Sequence, residues 1–128
     1  MIFADTSVIL ARLFAEDHFP PDSFWDETLV ASRLVEYETW TGVNSRKLQE
    51  SHGEAARSLL GRIAMLELTP LALSRALEPF PVPGRTLDSL HLASMCFIRG
   101  KNPSIWLATY DKRLATAAHA LKFRVFEP

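Results

Sequence analysis

The stretch Arg85-Thr86-Leu87-Asp88-Ser89-Leu90-His91-Leu92-Ala93-Ser94, running on through Met95-Cys96-Phe97-Ile98, constrains this chain more than any other. Thr86 is a residue type that caps helices, and the run from Leu87 to Ile98 is apolar on nearly every side. Such a helix belongs inside a domain, covered on more than one face. A single carboxylate interrupts it. At 3.6 residues per turn, Asp88 shares a face with Leu92 and Met95, where an unpaired charge is expensive. An Asp in the first turn also suits the positive end of the helix dipole, so this residue alone decides nothing.

The chain has 128 residues, enough for one real core and too few for two, and we expect a single domain over 1–128. Its 48% hydrophobic content is ordinary for a globular protein, and no apolar run approaches the ~18 residues needed to span a bilayer. Met1-Ile2-Phe3-Ala4-Asp5 carries no basic leader, and the single cysteine, Cys96, falls in the apolar helix. Together these predict a cytoplasmic protein with a core thiol and no disulfide. The net charge of −1 provides no general field for a polyanion. Nucleic acid would have to be held by a bound cation and by local basic contacts.

Ile2-Phe3-Ala4 reads as a short strand, ended by Asp5-Thr6-Ser7 before a helical pattern through Val8, Leu10, Leu13 and Phe14. A polar loop follows, from Glu16 to Glu27, with room for one short helix around Phe24-Trp25. Leu29-Val30-Ala31 is a second strand, and Ser32 can cap a helix running to about Leu48. On that helix Glu38 falls with Leu34, Val35 and Thr41 on the inward side, whereas Glu36 falls outward with Arg33 and Trp40. Arg46 and Lys47 near its end are candidate phosphate contacts, although basic residues at a helix C-terminus also suit the dipole.

A further helix is expected over Glu54 to Ile63, a third strand at Met65-Leu66-Glu67-Leu68, and a helix from Pro70 to about Leu77. Pro79, Pro81, Pro83 and Gly84 make a stiff connector into the central helix, and Gly100 to Pro103 ends it. Ile105-Trp106-Leu107-Ala108 is the fourth strand. Thr109-Tyr110-Asp111 then repeats the situation at Asp5: an acid at a strand's carboxyl end, opening a helix through Leu114, Ala117, Ala118 and Leu121. Phe123 to Phe126 is the last strand. Alternating strands and helices predict an α/β domain, a mostly parallel sheet with helices on both faces. Its carboxyl edge, where ligand sites gather in such folds, would carry Asp5 and Asp111, with Glu38 and Asp88 within reach.

If these acids converge, a like-charge pair ~4 Å apart costs about 4 kcal/mol at an effective dielectric of 20. Protons or a cation must neutralise several such pairs. An all-oxygen set favours Mg²⁺ or Mn²⁺ over Zn²⁺, and such ions can present a bound water to a phosphodiester. His18, His52, His91 and His119 share no metal-ligand spacing, and His91 reads as a satisfied core residue. No P-loop, dinucleotide fingerprint, nucleophile elbow or zinc-protease motif is present.

Taken together, Asp5-Thr6-Ser7, Glu38, the block Arg85 to Ala93 and Thr109-Tyr110-Asp111 resemble a PIN domain, specifically the VapC-type toxins of toxin–antitoxin pairs. The resemblance spans the chain, and the block Arg85 to Ala93 is its most specific part. It implies a three-layer α/β/α sandwich around a five-stranded parallel sheet of order 3-2-1-4-5, and Mg²⁺-dependent endoribonuclease activity. It further implies a homodimer silenced by a cognate antitoxin. By position, Asp5 would be the central metal ligand, Glu38 and Asp88 would complete the first site, and Asp111 would hold a second ion or its waters. Ser7 and Thr109 would orient the carboxylates. A receiver domain or a haloacid-dehalogenase-type phosphatase would need paired acids where Asp5-Thr6-Ser7 stands. The stronger alternative is a PIN-like module that binds RNA or protein without cleaving.

Overall fold

The computed structural model describes all 128 residues. Five parallel strands form one sheet: β1 (Ile2–Ala4), β2 (Leu29–Ser32), β3 (Ile63–Leu66), β4 (Trp106–Ala108) and β5 (Arg124–Phe126), in the order β3-β2-β1-β4-β5. The helices are α1 (Thr6–Leu13), α2 (Leu34–Ser45), α3 (Gln49–Leu60), α4 (Pro70–Leu73), α5 (Thr86–Arg99) and α6 (Lys112–Ala120). Short 3-10 segments cover Asp22–Asp26 and Ser74–Leu77. No helix is long and apolar enough to cross a membrane.

Side-chain alternation along each strand builds the three layers. On β1, Phe3 joins Leu92, Met95, Leu107, Leu114 and Phe123 on the face covered by α5 and α6. Ala4, the next residue, joins Val8, Ile9, Leu29, Ala31 and Val35 on the opposite face. Phe24 and Trp25 close that second core from the 3-10 segment. A small cluster of Leu13, Val43 and Ala56 knits α1, α2 and α3 together above it. Fully burying a side chain such as Phe3 contributes about 1.5–3 kcal/mol, so β1, apolar on both faces, anchors the sandwich.

Several boundaries differ from the sequence expectation. The predicted helix to Leu48 stops at Ser45, because Lys47 takes a left-handed conformation with φ of 56° and turns the chain. The next helix begins at Gln49 rather than Glu54 and ends at Leu60 rather than Ile63. Its first turn is polar and exposed and so shows no apolar period, and the Trp40 ring packs beside Gly53, 3.6 Å from where a Cβ would stand. Trp40 is therefore half-buried rather than outward, with the Arg57 guanidinium over its ring. The third strand lies two residues earlier than expected, because β2 pairs Leu29 with Ile63 and both feed the core. The segment 70–77 divides into α4 and the 3-10 turn instead of one helix.

The central helix is buried on every side through its middle, as expected, and opens to solvent toward its ends. His91 through Met95 are inside, while Leu87 is 46% exposed and Cys96 is half-buried at the edge of the core. Thr86 is its first helical residue rather than its cap.

Candidate active site

Three of the acids that could simply cap helices do so, and the same caps build the site. Asp5 follows β1 and caps α1, Asp111 follows β4 and caps α6, and Asp88 sits in the first turn of α5. Because β1 and β4 are neighbours in the sheet, their carboxyl ends bring Asp5 and Asp111 together. Glu38, in the middle of α2, and Asp88 reach the same place from flanking helices. All four line one cavity of about 460 Å³, with Thr6, Ser7, Leu10, Thr41, Gly42, Leu87 and His91. Glu36 points away and is bonded to Arg33 at 2.9 Å.

Each carboxylate has one oxygen engaged by the protein and one without a protein donor. Oδ2 of Asp5 accepts from Ser7 Oγ at 2.6 Å, Thr109 Oγ1 at 2.8 Å and the Ser7 amide at 3.3 Å. Oε1 of Glu38 accepts from Thr6 Oγ1 at 2.8 Å and lies 2.5 Å from His91 Nε2. Oδ1 of Asp111 accepts from the amides of Arg113 and Leu114 at 2.9 and 3.2 Å. Oδ2 of Asp88 reaches the Arg85 amide across 3.5 Å. The free partners are thus Oδ1 of Asp5, Oε2 of Glu38, Oδ2 of Asp111 and Oδ1 of Asp88.

No Lys or Arg forms a salt bridge with any of these acids. Burial pushes the Asp5 carboxyl above its ordinary range, and the bonds from Ser7 and Thr109 and the nearby His91 offset this only in part. Burial also opposes ionisation of Glu38, but the His91 bond and charge, with Thr6, outweigh it and hold that carboxyl below its usual range. The imidazole of His91, which burial alone would lower, is raised by Glu38 first and then by the charges of Asp5 and Asp88.

This donor set fits a hard divalent cation: oxygen only, each carboxylate able to offer a single oxygen, and a buried Asp whose charge the protein leaves uncompensated. No group of three of these side chains stands within reach of one ion. An ion here would be met by one or two carboxylates and by water, which is how Mg²⁺ is commonly held.

Ser7 and Thr109 converge on Asp5, as their positions suggested. Ser7 Oγ also accepts from the Tyr110 amide, and Thr109 Oγ1 from the Asp111 amide, so each hydroxyl is fixed by backbone on its other side. Arg46 does not line the cavity; its guanidinium lies 4.2 Å over the Phe14 ring and is bonded at 3.2 Å to the carbonyl of Gly42, which does. Lys47 stands exposed in the turn between α2 and α3. Three residues were not anticipated at the site. His91 is buried and satisfied, as expected of a core residue, but its partners are Glu38 and Ser32. Thr6 opens α1 and Ser32 ends β2, and their reach to Glu38 and His91 exists only across elements.

A profile of the PIN domain matches residues 2–120. The chain is 32% identical over 134 aligned positions to Ribonuclease VapC35 from two strains of Mycobacterium tuberculosis, covering 100% of this chain and 97% of that protein. In fold it is similar to the crystal structure of Mycobacterium tuberculosis VapC20, described as a sarcin-ricin loop cleaving toxin. That match has a TM-score of 0.59 and 20% identity and covers 100% of both chains. The sheet order, the caps that become site carboxylates and these full-length likenesses agree: the chain belongs to the PIN-domain family, in its VapC-type branch.

Proposed function

We propose that this protein is a divalent-metal-dependent endoribonuclease, the toxin of a VapC-type toxin–antitoxin pair, with Asp5, Glu38, Asp88 and Asp111 as its catalytic acids. The observation that carries the reading is the cavity these four carboxylates line with no Lys or Arg paired to them, His91 on Glu38 being the one basic side chain among them. The name and full-length identity of the ribonuclease relative support RNA as substrate.

Asp5 would be the central ligand, with Glu38 beside it and Asp88 reaching the ion through a bound water, and Asp111 at the rim would hold a second ion or its waters. Bound Mg²⁺ or Mn²⁺ supplies positive charge at the scissile phosphate and an activated water. Ser7 and Thr109 hold one oxygen of Asp5 so that the other faces the cavity. Arg46 and Lys47 contact the RNA backbone beyond the cavity, adding the local positive charge that the whole chain lacks. The protein acts in the cytoplasm as a homodimer and is silenced there by a cognate antitoxin.

The test is cleavage of total cellular RNA by the purified, partner-free chain in Mg²⁺ and in EDTA, beside Asp88→Asn. Discrete products should require Mg²⁺ and fall roughly 100-fold or more in the variant, which keeps its fold. Folded protein that binds RNA without cleaving it, in Mg²⁺ or Mn²⁺, would establish the binding module instead.

A further inference from the structure

A buried histidine that only fills space needs no line to an acid in a cavity. His91 has one. Its ring stands edge-on to Phe3, with centroids 6.3 Å apart, and both ring nitrogens are engaged: Nδ1 with Ser32 Oγ at 3.1 Å and Nε2 with Glu38 Oε1 at 2.5 Å. The direction of these bonds follows from their ends. The Leu34 amide donates to Ser32 Oγ at 3.3 Å, and a carboxylate oxygen can only accept. In the neutral ring the Ser32 hydroxyl therefore donates to Nδ1, and Nε2 carries the hydrogen that goes to Glu38. In the charged ring Ser32 accepts instead, and Nε2–H still donates to Glu38. The bond to the acid is the same in both states.

Two consequences follow for the site. Thr6 donates to the same oxygen of Glu38, so Oε1 is occupied twice and Oε2 is the oxygen left without a protein donor. The His91 bond is also the side-chain hydrogen bond that joins α5, which carries Asp88, to α2, which carries Glu38. One residue thus sets both the rotation of one acid and the spacing of two acid-bearing helices.

We propose that His91, backed by Ser32, is a positioning residue that holds Glu38 so that Oε2 alone is offered to the divalent cation. The inference rests on reading the acid cavity as a metal site. Its signature is an altered affinity for the ion, separable from loss of fold.

The experiment is calorimetric titration of the RNA-free chain with Mn²⁺, for the unaltered protein and for His91→Gln, His91→Asn, His91→Leu and Asp5→Asn, with each fold checked by circular dichroism and melting. Gln can place its amide nitrogen near the position of Nε2, whereas Asn reaches only the position of Nδ1. His91→Gln should bind Mn²⁺ within a few-fold of the unaltered chain, and His91→Asn about 10–100-fold more weakly. Raising Mn²⁺ should then restore RNA cleavage by His91→Asn and leave Asp5→Asn inactive. His91→Leu should match His91→Asn if it folds, and the Gln and Asn pair decides if it does not. Folded His91→Asn that binds as tightly as the unaltered chain, while Asp5→Asn binds nothing, would overturn this inference alone. An unaltered chain that binds no Mn²⁺ would overturn the metal site and this inference with it.

Discussion

The hydroxyl of Thr109 donates to Oδ2 of Asp5 across 2.8 Å, tying the carboxyl ends of two neighbouring strands at the point where the cavity begins. Asp5 is buried, with its other oxygen free and no basic side chain in contact. Its folded pKa is raised by burial, so above that value the ionised form costs stability, and the cost disappears as pH falls toward the unfolded value. Asp5→Asn keeps an oxygen for Ser7 and Thr109 and removes the charge. In EDTA near neutral pH it should melt above the unaltered chain, by about 4 °C for each ~1 kcal/mol recovered. Added Mg²⁺ should raise the melting temperature of the unaltered protein only. A lower melting point in EDTA, or equal Mg²⁺ responses, would contradict the assignment.

Glu38 and His91 give stability a pH window. The lowered Glu38 contributes stability that is complete above its ordinary value of 4.5 and lost as pH falls through its folded value. The raised His91 contributes stability that is complete below its ordinary value of 6.5 and lost as pH rises through its folded value. Metal-free protein should therefore melt highest in the mildly acidic range between them. Melting curves across pH in EDTA check this, and His91→Gln should flatten the alkaline limb.

Gly42 of α2 packs against Leu10 of α1, and both line the cavity. A Cβ there would stand 3.0 Å from Leu10 Cδ2. Alanine gains up to about 1 kcal/mol of helix propensity, which this crowding offsets. Gly42→Val adds two methyl groups to the same space and should cost about 1–3 kcal/mol, read by urea denaturation. An unchanged midpoint would show that Leu10 swings clear.

Arg46 tests the path of the RNA backbone outside the acids. If it meets one phosphate, Arg46→Gln should weaken RNA binding at low salt and reduce the magnitude of the slope of log affinity against log salt by about 0.7. Cleavage at saturating RNA should be little changed. A variant with the same slope would place the backbone elsewhere and leave Arg46 as a cap for the Gly42 carbonyl over Phe14.

What the sequence determined lies mostly within single elements. Ile2-Phe3-Ala4 before Asp5, and Trp106-Leu107-Ala108 before Thr109-Tyr110-Asp111, couple a short apolar strand to a residue that caps the next helix, a pattern complete within a few positions. The 3.6-residue period likewise placed Glu38 toward the cavity and Glu36 toward Arg33. Features held by distant partners were not legible. The start of α3 follows from Lys47 turning the chain, and the place of β3 depends on pairing with β2. Tertiary structure alone decided that a residue read as core, His91, would meet Ser32 from β2 and Glu38 from α2. Periodicity reports which face of a helix is buried, whereas a hydrogen bond between side chains 53 or 59 positions apart is fixed only when packing brings their elements together.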